Sequence, residues 1–340
     1  MPRISFSKLH IKQLNQFQIF LKNYWRKEHI FVKNKKFLIW QHKDRSFLTY
    51  TVAKLKNKIV GVHGYIPQSH YDPQLPNNEI FSTIFRALDV YQALGFRLFR
   101  FIQNNLPTKF IGTSGFRHDT IDYQKRLGFT VGLMDHYLAV SPFFKKYKIM
   151  KYNKKIKTFI KSNNCKFFEI NEKFLKENKL YNLFKHQYPR KSNIFIINRY
   201  LKHPIYKYNV FLLKKNSKPS SILVLRKVNV GKTNAFRIVD FIGKQNEFSN
   251  IGNLIIYLFR KYKSEFIDIY SYGIDIKYMK KLGFKDRRKI RNLIVPDNYE
   301  PLIKKNANLM YGYISKYRKN SRIRILKGDG DRDRPTGYKC

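Results

Sequence analysis

The sequence contains little cysteine and no long apolar run. Only two cysteines occur in 340 residues, Cys165 and Cys340, too few for a disulfide scaffold and without the spacing of a metal site. The sequence has neither the roughly 20 consecutive apolar residues of a membrane span nor the apolar core of a secretion signal. We therefore expect a reduced, cytoplasmic setting and no transmembrane segment, with any membrane contact peripheral and electrostatic.

Acidic residues are also scarce. The chain has 22 Asp and Glu against 69 Lys and Arg, a formal net charge of +47. Such a surface attracts polyanions, including nucleic acid, anionic membranes and substrates that carry phosphate. A strongly AT-biased genome would also enrich a protein in Lys, Asn, Ile, Tyr and Phe, so composition bias is an alternative source of the charge. Hydrophobic residues at 43% supply enough apolar surface for two cores and exclude disorder for most of the chain.

Several catalytic motifs are missing. The sequence contains no G-x-x-x-x-G-K-[ST] phosphate loop, no H-E-x-x-H, no G-x-S-x-G and no C-x-x-C, which disfavours kinase, hydrolase and zinc functions. The segment GDGDRDRP at 328–335 alternates Asp as a calcium loop does, but Arg334 stands where that loop needs Gly. We expect no metal. This segment is predicted either to fold back over a basic pocket or to end the chain in solvent.

One phrase occurs twice in the chain. YQKRLGF at 123–129 returns as YMKKLGF at 278–284, roughly 155 residues later. In both places a short apolar strand, a Gly-containing turn and a short helix are predicted. The Gly of each LGF stands where a helix ends in a left-handed residue. We therefore expect a strand after each phrase, at 129–140 and at 284–295.

The correspondence extends upstream of the repeated phrase. Hairpins are predicted at 47–67 and 208–228, and a helix followed by a strand at 96–112 and 253–268. Each half thus has the order helix, hairpin, strand, helix, strand, helix, strand, which is an α/β arrangement with a mixed sheet. The sequence predicts a tandem duplication, with domains at 1–148 and 149–320 and an Asp/Arg-rich tail at 321–340.

The segment IFSTIFRALDVYQALGFRLFRFI at 80–102 predicts a strand, a loop and a helix. The loop and helix carry Gln92, Gly95 and Arg97 in the order Q-x-x-G-x-R. Together with the later LGF phrase, this resembles the GNAT superfamily of acyl-CoA N-acyltransferases, whose signature is Q/R-x-x-G-x-G/A. The resemblance covers roughly residues 15–140 and 165–297. It implies an α/β fold of two tandem GNAT-like domains, each a mixed, mostly antiparallel sheet flanked by helices.

The resemblance also implies a cosubstrate, acetyl-CoA or another acyl-CoA. Unpaired N–H groups at a helix N-terminus suit its pyrophosphate. Arg97 departs from the Gly or Ala of the family. In the second half Phe248 and Ile251 replace the Gln and first Gly, so we expect the acyl-CoA site in the first domain and a degenerate second domain. The expected CoA-binding residues are Gln92, Leu94, Gly95, Phe96 and Arg97.

Catalytic and substrate-binding candidates follow from the same resemblance and from local chemistry. Tyr123 lies near the position of the family's acid, although the spacing here puts Gln124 at the usual place. The stretch at 62–79 clusters groups that can bind or accept a proton, and FLIWQHKDR at 37–45 adds an aromatic plane beside polar groups. The predicted catalytic residues are His70, Glu79 and Tyr123. The predicted substrate-binding residues are Trp40, His42, His63 and Asp72.

WQH followed by GYIPQSHYD resembles GNAT-like proteins associated with surface polysaccharide biosynthesis. We therefore predict an acyl-CoA-dependent N-acyltransferase, in the first instance an N-acetyltransferase, acting on an amino sugar or sugar nucleotide for a bacterial surface polysaccharide. One alternative is a peptidoglycan-type transferase that uses aminoacyl-tRNA, which the positive charge favours. The other is a non-enzymatic polyanion-binding protein on the same scaffold.

Overall fold

Two eight-stranded mixed sheets with flanking helices make up the protein. The computed structural model of the chain describes residues 3–162, 164–318 and 320–335. The last five residues of the predicted tail, which include Cys340, lie outside the described residues. The fold class predicted from the sequence, α/β with two tandem and mostly antiparallel mixed sheets, is confirmed.

The helices and strands are numbered in chain order. The strands are β1 (Ser5–His10), β2 (Lys43–Asp44), β3 (Phe47–Leu55), β4 (Lys58–Pro67), β5 (Glu79–Ala87), β6 (Phe110–Ser114), β7 (Thr130–Leu133), β8 (Asp135–Val140), β9 (Lys166–Glu169), β10 (Tyr208–Lys215), β11 (Lys218–Val230), β12 (Thr233–Gly243), β13 (Phe266–Tyr272), β14 (Lys285–Asp286), β15 (Met310–Ser315) and β16 (Ile325–Leu326). The α-helices are α1 (Leu14–Tyr24), α2 (Ile30–Lys33), α3 (Lys35–His42), α4 (Leu94–Asn105), α5 (Ile121–Arg126), α6 (Glu172–Glu177), α7 (Tyr181–Phe184), α8 (Asn193–Ile196), α9 (Gly252–Tyr262) and α10 (Ile276–Leu282).

The two sheets have the same strand order. The first runs β1-β3-β4-β5-β6-β15-β7, and the second, read in the matching direction, runs β9-β10-β11-β12-β13-β8-β14. In each sheet one neighbouring pair is parallel, β5 with β6 and β12 with β13. Helices α4 and α9 connect these parallel pairs and bury an apolar face against their sheets. The chain is therefore a duplication of one fold.

Local turn signals were predicted correctly. The hairpins β3–β4 and β10–β11 turn at residues 56–57 and 216–217, where both central residues have positive φ. The glycines of the repeated phrase, Gly128 and Gly283, have φ of 93° and 102°, the left-handed region that glycine adopts without strain. Each ends its helix and turns the chain toward a strand.

The strands after the repeated phrase differ from the prediction. The segment 129–140 divides at Met134: β7 stays in the first sheet, whereas β8 pairs with β13 in the second. In return, β15 enters the first sheet between β6 and β7. Each sheet therefore includes one strand from across the predicted boundary at residue 148. After the second phrase only β14 is extended, because the chain turns at once into a short 3-10 segment.

The WQH segment is helical. Residues 37–42 lie in α3, where Phe37, Leu38, Gln41 and His42 are buried. Burial at i, i+1, i+4 and i+5 is the pattern of a helix face, not the alternation of a strand. Asn34 caps this helix by accepting a hydrogen bond from the Phe37 N–H at 2.8 Å.

The Asp/Arg-rich tail folds back into the interior, so the prediction of a solvated end is wrong for its described part. Asp329 pairs with buried Lys191 at 2.8 Å, and Asp333 pairs with Arg226 at 3.0 Å. The hydroxyl of Tyr208 donates a further hydrogen bond to Asp333 at 2.7 Å. Both aspartates are at most 2% exposed. The tail is therefore held by buried ion pairs rather than by apolar contacts alone.

Replacing Asp333 with Asn should destabilise the protein by about 3 kcal/mol, because it leaves the buried Arg226 guanidinium without its closest counter-ion. The measurement is the midpoint of urea-induced unfolding. Asp89→Asn is the matched control, since its carboxylate is 85% exposed and paired only with nearby Arg86. Equal midpoints for the two variants would contradict the assignment of the tail as a buried structural element.

Candidate functional site

A cleft of about 850 Å³ opens between the two parallel strands of the first sheet. Strands β5 and β6 pair only over residues 79–81 and 110–112, and then diverge. Residues 82–88 and 113–117 form the two walls beyond that point. Along the described chain, no strand pairs with the β6-facing edge of β5 after Phe81. That edge therefore offers main-chain N–H and C=O groups to an extended ligand.

A bulge in β5 explains the divergence. In the β4–β5 pair, His63 lies opposite Phe85 and Tyr65 lies opposite Ser82. One residue separates the two positions on β4 but two separate them on β5, so β5 contains an extra residue at 83–84. A bulge bends its strand and increases the local twist. It follows directly after the last residue that pairs with β6. The bend thus turns the rest of β5 away from β6 and opens the cleft.

The N-terminus of α4 faces this cleft. Ala93 has a left-handed φ of 55°, which turns the loop into the helix. Within the described residues, the main-chain N–H groups of Gln92, Gly95 and Phe96 have no hydrogen-bond acceptor. The first turn carries no acidic side chain. Free N–H groups and the positive end of the helix dipole together form an anion site.

Gly95 and Tyr123 meet at the inner end of this loop. A Cβ atom added at Gly95 would stand 2.5 Å from the Tyr123 hydroxyl oxygen, so glycine allows α4 and α5 to approach here. The Tyr123 ring packs against Phe96 and Phe85, with ring centres 4.9 and 5.9 Å away. Among the described residues its buried hydroxyl has no hydrogen-bond partner.

Burial raises the pKa of Tyr123 well above its usual value. The hydroxyl therefore stays protonated at neutral pH and is available as a hydrogen-bond donor to a group in the cleft. Gln124, at the usual position of the family's acid, also lines the cleft and is 9% exposed. Of these two neighbours, Tyr123 is the one with an ionisable proton.

Of the other predicted CoA-binding residues, three line the cleft and one does not. Gln92, Leu94 and Phe96 lie along its wall. The Arg97 guanidinium instead lies 5.0 Å from the ring centre of Phe6 on β1. The departure from the family's small residue is therefore accommodated outside the cleft.

His63 lies behind the cleft wall. Its Nε2 is 2.7 Å from the Ser82 hydroxyl oxygen, and its ring stacks on Phe85 with ring centres 4.1 Å apart. Ser82 and Phe85 both line the cleft. Burial lowers the pKa of His63 to about 3, so the ring is neutral and suited to orienting these two side chains.

His70, Asp72 and Glu79 lie away from the cleft, and Asp72 and Glu79 contact the second half of the chain. Asp72 accepts a hydrogen bond from Ser192, and Glu79 accepts one from the main chain of Arg190. His70 contacts the Trp40 carbonyl oxygen at 3.0 Å. Asp72 and Glu79 therefore hold the two halves against each other, whereas the contact of His70 with Trp40 lies within the first half.

Trp40 and His42 are also away from the cleft walls. The Trp40 ring packs against Tyr71 and His203 in the core between the two halves. The His42 Nδ1 lies 2.8 Å from the Thr49 hydroxyl, and burial lowers the pKa of His42 well below its usual value. A bound sugar would not reach the Trp40 ring in this arrangement.

Some cleft residues come from distant parts of the chain and were not predicted from the sequence. Asp331, Arg332 and Arg334 of the tail line the cleft, as does Trp25 after α1. The alternation of Asp and Arg in the tail predicted docking over a basic pocket, but no pattern indicated which cleft it would reach. Tertiary packing decides that.

The equivalent gap in the second sheet is filled by the chain itself. Strands β12 and β13 pair over residues 236–238 and 267–269 before they separate. There β16 pairs with β13, and the Gly328 N–H donates to the Val239 carbonyl of β12 at 2.8 Å. At the start of α9, a Cβ atom on Gly252 would overlap the carbonyl oxygen of Lys161. The segment around Lys161 and the tail thus occupy both parts of the second cleft.

Comparisons with known proteins identify the fold. No protein-family model matches the sequence, and no curated protein matches it. A GCN5-related N-acetyltransferase from Anabaena variabilis ATCC 29413 is similar in structure, with a TM-score of 0.56 and 11% identity over 91% of this chain and 72% of that one. A GCN5-related N-acetyltransferase from Kribbella flavida has a TM-score of 0.50 and 7% identity, over 92% of this chain and 71% of that one. A conserved protein of unknown function from Enterococcus faecalis V583 has a TM-score of 0.54 and 8% identity, over 91% of this chain and 72% of that one.

The chain therefore has the fold of the GCN5-related N-acetyltransferases, the fold that the sequence resemblance predicted. In the described residues, no helix is both long and apolar enough to cross a bilayer. The same residues contain no group of three or more His, Cys, Asp or Glu placed to hold a metal ion.

The contact between Gly95 and Tyr123 predicts a coupled pair of substitutions. Gly95→Ala should be destabilising in the wild-type chain but not in the Tyr123→Phe variant, because the hydroxyl is the atom that the new methyl group meets. We expect a coupling free energy of about 1 kcal/mol from a double-mutant cycle measured by urea unfolding. Additive effects of the two substitutions would show that the helices do not meet at this point.

Proposed function

We propose that the protein is an acyl-CoA-dependent N-acyltransferase and that the cleft between β5 and β6 is its active site. The observation that carries this proposal is the convergence on one cleft of three features: an unpaired strand edge, a helix N-terminus with free N–H groups, and a protonated tyrosine. Acyl transfer from a thioester needs a place for the acyl carbonyl, an anion site for the carrier and an acid for the departing sulfur.

The residues present fit an acyl-CoA. The start of α4 would hold its pyrophosphate. The exposed Arg117 lies at the opposite wall, where it pairs with Asp119. In the second sheet, an extended peptide segment fills the equivalent gap by hydrogen bonding to both flanking strands. The pantetheine arm of CoA is also extended and carries amides, so the free edge of β5 could bind it in the same way.

The cleft residues have separate roles in the reaction. The main-chain N–H groups along the free edge of β5 would stabilise the oxyanion that forms when a neutral amine attacks the thioester carbonyl. The new C–N bond forms as the C–S bond breaks, and Tyr123 gives its proton to the thiolate. The proton that the product nitrogen loses restores Tyr123 through water, so charge balances over the cycle.

For the acceptor we propose an amino sugar or sugar nucleotide used in bacterial surface polysaccharide synthesis. Trp25, 44% exposed at the cleft, offers a ring face on which a sugar can stack. Arg332 and Arg334 line the same cleft, where they pair with Asp297 and Asp331. Acetyl is the acyl group that we propose in the first instance.

The net charge of +47 favours a second candidate, transfer from aminoacyl-tRNA, and it equally suits a non-enzymatic polyanion-binding role. Both alternatives require nucleic acid to bind tightly at physiological salt. Neither requires a free N–H cluster beside an unpaired strand edge. Calorimetric titration with acetyl-CoA and, at the same salt concentration, with tRNA separates these functions.

We expect acetyl-CoA to bind with a stoichiometry of one per chain, because the second cleft is filled. Gly95→Leu should abolish this binding by displacing Tyr123 and covering the helix N-terminus. Arg100→Leu is the matched control, an exposed position on the same helix outside the cleft. Tight tRNA binding without acetyl-CoA binding would instead support the nucleic-acid functions.

Tyr123→Phe should slow the chemical step about 100-fold while leaving the dissociation constant of acetyl-CoA unchanged, because only the departing sulfur needs the hydroxyl proton. The single-turnover rate is measured with whichever amine of a panel of amino sugars and their nucleotide derivatives the wild-type protein acylates. Tyr257→Phe on α9, outside the cleft, serves as the control. An unchanged single-turnover rate would remove Tyr123 from the mechanism.

A further inference from the structure

The returning tail crosses the cleft at the point where β5 and β6 separate. A Cβ atom on Gly330 would lie 3.0 Å from the Cβ of Phe81, the last residue of β5 that pairs with β6. The Arg332 side chain lies over Gly115, directly after β6, with its Cδ 2.6 Å from an added Cβ. Asp331 stands between these two contacts. The tail therefore places it over the opening between the strands.

Asp331 lies on the face of the sheet opposite to α4. Phe81, on which the tail packs, belongs to a core cluster with Tyr270 and Ile325 of the second half. Its neighbour Ile80 points the other way, into a cluster with Phe99 and Ile102 of α4. The anion site at the start of α4 and the Asp331 carboxylate thus approach the opening from its two sides.

The Asp331 carboxylate is incompletely paired. Arg334 lies 3.1 Å from its Oδ2, but this buried oxygen has no hydrogen bond among the described residues. Arg334 is shared, since its Nη2 also lies 2.8 Å from the Nε2 of His29. The neighbouring Arg332 is already paired with Asp297 at 2.6 Å. Asp331 thus has capacity for a further positive partner.

Arg199 is a third cation beside the tail, but its Nη2 already donates to the carbonyl oxygens of Gly328 and Gly330. The tyrosines and histidines near Asp331 are uncharged. Burial, with a smaller contribution from Asp331, raises the pKa of Tyr50 on β3 and raises that of Tyr71 to about 12. Burial lowers the pKa of His29 before α2 and of His42 on α3 well below the usual value. These tyrosines and histidines are neutral at pH 7, so they do not replace a cationic partner.

We propose that Asp331 forms the acceptor subsite of the cleft and binds the acceptor amine in its ammonium form. The subsite rests on the proposed acyltransferase function and specifies its second substrate as a primary amine that enters from the face opposite α4. The ammonium pairs with the Asp331 carboxylate beside Arg334, whose guanidinium is shared with His29. The amine then loses its proton to water and attacks the acyl group at the strand opening.

The test compares Asp331→Asn with Asp331→Glu and with Asp135→Asn. The last variant breaks an Asp–Arg pair of the same kind, to Arg288 at 2.9 Å, outside the cleft. The probes are acetyl-CoA for binding and a panel of glucosamine, lysine and spermidine, together with amino-sugar nucleotides, for turnover. Glucose is the uncharged analogue of glucosamine.

In Asp331→Asn we expect the acceptor KM to rise about 10-fold to 100-fold, with the affinity for acetyl-CoA unchanged. Asp331→Glu should recover part of the loss, and Asp135→Asn should match wild type. In wild type, the KM for total amine should rise with pH as the ammonium form disappears, and this rise should be weaker in Asp331→Asn. Glucose should not compete with the acceptor.

The outcomes are distinguishable. An active wild type whose acceptor KM and pH dependence are unaffected by Asp331→Asn overturns the subsite and leaves the acyltransferase function standing. Loss of acetyl-CoA affinity in Asp331→Asn overturns it as well, because the tail would then act through the shape of the cleft. A wild type that neither binds acetyl-CoA nor acylates any amine of the panel overturns the proposed function, and the subsite falls with it.

Discussion

In each half of the protein, two parallel strands pair over three residues and then separate. The structure of each half depends on what satisfies the strand edges that this separation exposes. The separation exposes main-chain N–H and C=O groups inside the molecule, and such groups are costly to leave unpaired away from water. The second sheet satisfies them internally, since β16 pairs with β13 and the Gly328 N–H reaches β12. The first sheet leaves the same edge open to the cleft. The asymmetry between two copies of one fold therefore lies in what fills the gap.

One segment links the two gaps. The tail fills the second gap with β16 and, a few residues later, crosses the first gap with Gly330 and Asp331. Buried carboxylates fix its position: burial alone would raise the pKa of Asp333, but Arg226 and Lys327 lower it. Compared with a well-packed apolar pair, a buried ion pair contributes little to the free energy of unfolding. Removing only one partner nevertheless destabilises the protein, because it leaves a buried charge unpaired. The ion pairs thus determine where the tail lies, which determines where residue 331 lies.

Local features of this fold were predictable from the sequence, and long-range placement was not. Gly128 and Gly283 at helix ends and the loop before α4 depend on a few neighbouring residues, so their patterns predicted them. The exchange of β8 and β15 between the sheets has no local signal, because alternation shows which face of a strand is buried but not which strand it joins. Glu79 is close in sequence to the cleft residues of β5. Its position at the paired end of that strand nevertheless places it against Arg190.

The positions of the acidic residues bear on how the net positive charge is interpreted. Among the described residues, the buried carboxylates are Asp72, Glu79, Asp240, Glu265, Asp268, Asp297, Asp329 and Asp333. Several of them neutralise cations inside the protein. Because the buried acids and the buried Lys and Arg residues nearly balance, the surface carries almost all of the net positive charge. A polyanion would therefore meet favourable charge almost anywhere on the surface. A cationic amine would be repelled everywhere except beside a local carboxylate, and for that reason an incompletely paired Asp331 in the cleft is more specific evidence than the net charge.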